Sequence, residues 1–483
     1  MMTADIENPT LEAVEEENKV PMRRQESKCV KAEIKDEFNE AELTILEEWA
    51  TLMEMNANIG FLDEASTSFG LVFEKIKQKK FSPNQRVMKL KILTKIVSLH
   101  NIKHSYDEAH TWAIKALECL DANDPPSLVI ETLNQSAEAF TSKSLFQKAK
   151  PLIEKSVALS TETYGKESRA YARSLITYAG YLSDSDECQK ANAMYEIALK
   201  IVSKEEGERS VAAAKIMALA AQNNYYFQSC STKNFTVASQ QAETALQVIE
   251  EKLGRNNYLI VTPKNTMAAI MKEKAWAISD KEEKLKLLSE TEKLEACCLT
   301  ILTSSLGDYN PFTAHLMLNT GVTYRDSGKN YEAEELFTKS LAIQKKIQGE
   351  DVNLALSHLH LGNFYFMNIQ EYGKAEGHFL DSRRILEKVH GPASSFLGNN
   401  YDWLISLYGT TGEVEKENEQ QQKKAEWEKL QEKKDEEQEK KDEEEEKKDE
   451  EEENNEKKEE EKLEEMTLEE LIKFVTVSDT IEP

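Results

Sequence analysis

The chain has 483 residues and a formal charge of −27 at pH 7, from 61 Lys and Arg against 88 Asp and Glu. Residues 1–40 hold 11 acidic and 6 basic side chains, residues 413–466 hold 27 and 13, and residues 467–483 hold 4 and 1, which leaves 41–412 nearly neutral at −5. No lysine- or arginine-dominated segment is available to neutralise phosphates, which argues against nucleic acid and anionic membrane surfaces as partners, and no run reaches the ~18 to 20 apolar residues of a membrane span.

Residues 1–40 are acidic, poor in aromatics and contain two prolines, a composition that cannot bury enough apolar surface to order itself, so disorder is expected there. Asp5, Glu7, Glu12 and Glu15 are the opposite of a basic-then-apolar signal peptide, which points to a cytoplasmic or cytoplasmic and nuclear protein. Six cysteines without a C-x-x-C pair read as reduced packing residues rather than a disulfide framework or a structural zinc site.

From Leu43 a helical pattern begins, with Phe61, Ala65, Phe69 and Phe73 forming a first, imperfect unit. No proline interrupts the chain between Pro151 and Pro263, and alternating β-branched runs are hard to find, so the chain reads as all-α. Glycines at 165, 207, 254, 307, 349 and 391 each follow an amphipathic segment, at spacings of 42, 47, 53, 42 and 42. Glycine supplies the left-handed residue that ends a helix without a Cβ penalty, and Asn310-Pro311 reads as an N-cap followed by proline at the first helical position.

Within the units a small residue is followed at four and at seven or eight positions by apolar or small ones: Ala109, Ala113, Ala116 and Leu117; Ala149, Ile153, Ser156 and Val157; Ala191, Tyr195, Ala198 and Leu199; Ala333, Phe337, Ser340 and Leu341; Ala375, Phe379 and Ser382. These offsets share one helix face, and small residues there let a neighbouring helix approach closely. Gly321 and Tyr324, then Gly362 and Tyr365, mark the partner helices. This is the tetratricopeptide pattern with the period stretched from about 34 to about 42 residues. An irregular α-bundle would have to place six glycines in phase by accident. The 53-residue unit has Thr291 where alanine is expected and reads as degenerate or as carrying an insertion.

The expected fold is therefore a right-handed superhelical solenoid of tetratricopeptide-like helix pairs over 41–412, with disordered, charged termini. Its function should lie in the concave groove lined by the first helix of each pair. Helical phase places Gln135, Arg173, Thr177, His315, Asn319, Arg325, His360 and Asn363 on that wall, together with Leu318, Val322 and Phe366. Asparagine can satisfy both groups of an extended peptide backbone, and arginine can clamp a carboxylate bidentately.

After Gly412 the composition shifts to Glu, Lys, Gln and Asp. Residues 433–453 are three heptads, KKDEEQE, KKDEEEE and KKDEEEE, without an apolar position, which excludes a coiled-coil seam. A solvated arm over 413–466, helix or coil, is expected. Over 467–483 apolar residues return at Leu468, Leu471, Ile472 and Val475, the spacing of a short amphipathic helix that can fold back onto the solenoid. No H-E-x-x-H, G-x-S-x-G, Walker or G-x-G-x-x-G motif occurs, so no catalytic residue, metal or cofactor is assigned.

Four stretches resemble the amyloid protein-binding protein 2 family, whose repeats are related to those of kinesin light chains: SYDEAHTWAIKAL, the run from FQKAKPLIEKSVAL to ANAMYEIALKI, the run from GKNYEAEELF to YGKAEGHFL, and YDWLISLYG. The resemblance spans roughly residues 100–412 and implies a non-enzymatic adaptor. Its partners would be cargo tails or degrons, with cullin-RING ligase components or microtubule transport machinery beside them. Two alternatives stay open: a scaffold acting through its convex face and charged tails, and a kinesin-light-chain-like cargo adaptor without a ligase role. The Glu/Lys insertion departs from the family, and a negatively charged arm would be repelled by acidic tubulin.

Overall fold

The computed structural model describes residues 36–185, 187–347, 352–392, 394, 397–430 and 467–476. Of the 1–40 segment expected to be disordered, residues 1–35 fall outside the described residues, as do Gly349 and the heptads of the charged arm. Antiparallel helix pairs follow one another along the chain: α1 (Glu40–Asn58) with α2 (Leu62–Gln78), α3 (Arg86–Ile102) with α4 (Tyr106–Leu117), α5 (Pro126–Ser142) with α6 (Phe146–Tyr164), and α7 (Arg169–Asp184) with α8 (Cys188–Glu206). They continue as α9 (Val211–Cys230) with α10 (Thr236–Leu253), α11 (Val261–Ala277) with α12 (Lys281–Leu306), α13 (Pro311–Asp326) with α14 (Asn330–Ile347), and α15 (Val352–Phe364) with α16 (Tyr372–His390). α17 (Leu397–Thr411) follows. From α4 onward each second helix also packs on the first helix of the next pair, while α3 packs beside α1, which makes an all-α solenoid of tetratricopeptide-like pairs. Among the described residues no helix is long and apolar enough to cross a membrane.

The repeat signature is the core. Ala109, Ala149, Ala191, Ala333 and Ala375, with Ile153, Tyr195, Phe337 and Phe379 four positions on, are all buried. Gly321 and Gly362 are glycines because a Cβ on either would sit 2.7 Å from the Phe337 or Phe379 ring of the paired helix. The glycines at 165, 207, 254, 307 and 391 end helices, as their spacing implies, but not in the left-handed helical region. Gly254, with φ 91° and ψ 166°, is representative of a mirror-image extended conformation that is essentially reserved for glycine. The 53-residue unit keeps the register: Thr291 is fully buried in alanine's place, and the surplus length is absorbed by α12, 26 residues long and capped by Asp280.

Pairing runs on past Gly412, where the composition changes. A helix over 414–430, α18, lies against α16 and α17: Trp427 donates from Nε1 to the Ser394 carbonyl at 2.9 Å and its ring fills the space above Gly398, while Arg383 donates to the buried Gln420 at 2.6 Å. At the other end Phe38, ahead of α1, is buried against Phe81. α19 (Leu468–Thr476) packs against α4 and α6.

Two asparagines join early pairs to late ones. Asn257 and Asn310 stand 53 residues apart, three positions after Gly254 and Gly307. Each accepts a backbone N–H of its own helical turn on Oδ1 and donates from Nδ2 to a distant carbonyl, Asn257 to Ile59 and Asn310 to Lys103, both at 2.8 Å. Around them Lys215 donates to the Asn58 carbonyl, the Tyr258 hydroxyl donates to the Ile102 carbonyl, and the His104 ring lies 4.7 Å from that of Phe312. The turns of the first two pairs thus abut the connections entering α11 and α13, and one apolar cluster runs from Leu43 to Leu316. Asn310→Asp keeps the cap but turns a donor into an oxygen facing the Lys103 carbonyl. It is expected to cost about 1–3 kcal/mol, read as a lower urea midpoint, whereas a cap-only role would leave it unchanged.

Candidate peptide-binding groove

The first helices line the hollow, with α3 lying beside α1 and α5, and α5 beside α7. On this stretch acids and bases alternate. Lys95 pairs with Glu54 at 3.2 Å, and Arg173 reaches Glu138 at 3.7 Å. Burial raises the Glu54 and Glu138 carboxyls above their usual range despite those cations, and burial with the nearby Glu138 pushes Asp184 up to about 6. Burial and the repulsion of Arg173 bring Lys215 down to about 8. Gln135 is only 2% exposed and is committed to packing: it accepts from Asn101 at 3.1 Å and donates to Glu131 at 2.8 Å. Thr177 is also buried, with no partner for its hydroxyl, and Arg173 is half-buried.

A second polar group spans α11, α13 and α15. Lys272 pairs with Glu295 at 2.9 Å and approaches the Asn319 carbonyl at 3.4 Å. Arg325 pairs with Asp326 at 2.8 Å, and Asp326 also accepts from Trp276 Nε1 at 2.8 Å. Burial, then the charges of Arg325 and Lys272, hold His360 at about 4. The His315 ring is solvent-accessible but sits in the hollow, where surrounding protein and Lys272 keep its pKa below the usual histidine value. The structure therefore brings together His315, Asn319, Arg325 and His360, with Asn363 half-exposed one turn along α15 from His360. Leu318, Val322 and Phe366 do not share this wall. They are buried in the cluster around Phe337 and Phe364, because the apolar face of α13 and α15 is wider than a single stripe and takes them in.

The buried Lys272–Glu295 pair beneath the wall was not legible. Lys272 falls in the 53-residue unit, whose first helix lacks the Gly-Tyr landmark that sets the phase in α13 and α15. Glu295 occupies the position that Phe337 and Phe379 hold in their repeats, four residues after the small one, where an apolar side chain is expected.

Four imidazoles, His100 buried and His104, His358 and His360 half-buried, predict a pH dependence. His100, His104, His358 and His360 are held at about 4, chiefly by burial, and His358 also lies 3.0 Å, Nδ1 to Nδ1, from His378, whose pKa burial lowers as well. They stay neutral in the folded chain but take up protons near 6.5 once unfolded, so their contribution is complete above about pH 6.5 and is lost as the pH falls toward 4. Asp184 acts oppositely, lending stability at low pH that disappears as the pH rises through about 6. Glu54, Glu138 and Glu295, raised by burial, side with Asp184, and His110, His315 and His378, lowered by burial, side with the other imidazoles; seven histidines outweigh four carboxyls, and the thermal midpoint should be several degrees lower at pH 5 than at pH 7. A flat profile would contradict the burial of these rings.

The stacked pairs define a tetratricopeptide-repeat solenoid, and the tetratricopeptide repeat family matches residues 313–351. The chain is similar to amyloid protein-binding protein 2: it is 30% identical over 227 residues to the Mus musculus protein, covering 47% of this chain and 39% of that one, with the same figures for Rattus norvegicus. It thus spans well under half the length of these curated relatives. Among solved structures, a Rap protein complexed with competence and sporulation factor shares 13% identity, with 71% of this chain and 99% of that one covered and a TM-score of 0.44.

Proposed function

We infer that the hollow captures a peptide segment of a protein partner, which makes the chain a non-enzymatic adaptor. The observation that carries this reading is the half-exposed polar set His315, Asn319, Arg325, His360 and Asn363, placed on a wall whose remaining positions are spent on packing. Asparagine amides suit an extended backbone, and Asp326 engages two of the five guanidinium N–H groups of Arg325, leaving chemistry for a partner carboxylate. Trp276 beside them offers an apolar surface. The likeness to amyloid protein-binding protein 2 supports a protein partner. The finer reading is that captured tails or degrons are delivered to a cullin-RING ligase or to microtubule-linked transport. It rests on the family resemblance, and a pull-down scored for cullin, elongin and kinesin subunits tests it.

The capture itself is tested with fluorescein-labelled peptides of amyloid protein, the ligand that the relatives' name states. Arg325→Ala is expected to weaken binding about tenfold, the lower end of a hydrogen bond to a charged group, and Asn319→Ala somewhat less, with the thermal midpoint unchanged. Parallel losses of affinity and stability would assign both residues to packing. Native-like binding by both variants would remove the peptide from this wall.

A further inference from the structure

The outer face carries a second site, independent of the hollow. α19 is a nine-residue helix whose Leu468, Leu471, Ile472 and Val475 follow i, i+3, i+4, i+7 spacing. Thr467 and Glu470 close its first turn reciprocally: the Thr467 backbone donates to the Glu470 carboxylate at 2.9 Å, and the Glu470 backbone donates to the Thr467 hydroxyl at 3.3 Å. Leu471 and Val475 are 2% and 1% exposed, in the cluster formed by Leu117 and Leu120 of the α4 end, Val129 and Leu133 of α5, and Leu152 of α6. Beside Leu468 a cavity of about 140 Å³ remains, walled by Ala122, Val129, Lys155 and Leu159. The groove is therefore larger than the helix that fills it.

A helix this short does not hold its shape alone in water, and what fixes it is the surface beneath it. Only two of its side chains are fully enclosed, and Phe474 is left 49% exposed. Residues 431–466 join it to α18, so its docking is intramolecular. A tether of that order supplies an effective concentration around the millimolar range, enough to keep a weak ligand seated.

We propose that the α4/α6 groove is a recognition site for short amphipathic helices and that α19 is its exchangeable ligand, bound in cis. The partner it fits is a helix with apolar residues at i, i+3, i+4 and i+7 and acidic residues in the first turn, as Glu469 and Glu470 are in α19. Such a partner engages the outer face by displacing the chain's own helix, without entering the hollow.

The test uses the full chain and a synthetic peptide of residues 466–478. A Leu471→Asp/Val475→Asp chain, which cannot seat its own helix, is expected to bind the labelled peptide at least tenfold tighter than the native chain, and Leu159→Asp in that background should remove the gain. On the native chain, saturating unlabelled peptide should strip hydrogen-exchange protection from the amides of 468–476 while leaving α5 protected. Protection of α19 that persists under saturating peptide overturns exchangeability even if the double variant folds poorly. Equal affinity of the two chains overturns it as well. A concentration-dependent doubling of mass, abolished by Leu471→Asp/Val475→Asp, would overturn the assignment in cis. None of these outcomes bears on peptide capture by Arg325 and Asn319, which is read with different probes.

Discussion

Lys272→Met is expected to lower the stability of the chain by about 3–5 kcal/mol, because it leaves the carboxylate of Glu295 buried without its cation. Glu295 is 0% exposed, in the slot that an aromatic fills in other repeats, and burial already pushes its carboxyl above the ordinary range with Lys272 in place. Removing the charge of Lys272 must push it further. The deficit relative to the native chain should therefore shrink between pH 7.5 and pH 5, as Glu295 takes a proton and the cost of its charge disappears. Lys272→Met/Glu295→Leu, which replaces both partners by apolar groups, should recover most of the loss. Urea titrations of the three chains at both pH values measure this. A double variant as unstable as the single one would mean that shape, not charge, governs the slot.

Phe337→Ala should cost a similar ~3–5 kcal/mol, through lost burial and the cavity left behind. The ring is 1% exposed, lies against Gly321 and meets Phe364 edge-on with centroids 5.6 Å apart. In a solenoid each repeat leans on its neighbours, so the damage should be local in its first expression. Hydrogen exchange is expected to accelerate over α13–α16 well before α5–α8. Uniform acceleration along the chain would show that the pairs unfold as one unit.

The repeat signature was legible because its physics is local. Ala333 with Phe337 and Ala375 with Phe379 obey helical offsets, and the glycines of the helix ends answer to a backbone conformation that other residues rarely adopt. The packing of 414–430 is hidden in its composition, since Lys and Glu dominate it even though Gln420 is buried and Trp427 half-buried. One buried face needs only a few residues, and charge counts do not weigh them. The wall was half-legible. Phase selected His315, Asn319, Arg325 and His360, which the structure brings together, but also Leu318 and Val322, which lie within the apolar stripe, and Gln135, which bonds sideways to Asn101 and Glu131. Phase gives a direction from a helix axis, not the depth of what surrounds it. The junction made by Asn257 and Asn310 joins residues some 200 positions apart, beyond any periodicity in the chain.

That junction bears on how a peptide would reach the hollow if the proposed capture holds. Because Asn257 and Asn310 fasten the turns of the first pairs to the connections entering α11 and α13, this stretch behaves as a ring rather than an open jaw, and prising it sideways means breaking both fastenings at once. Under the proposed capture, a partner with a free chain terminus would enter along the axis with both fastenings intact. A hairpin or a folded loop could not, so the proposed capture would favour tails over internal segments.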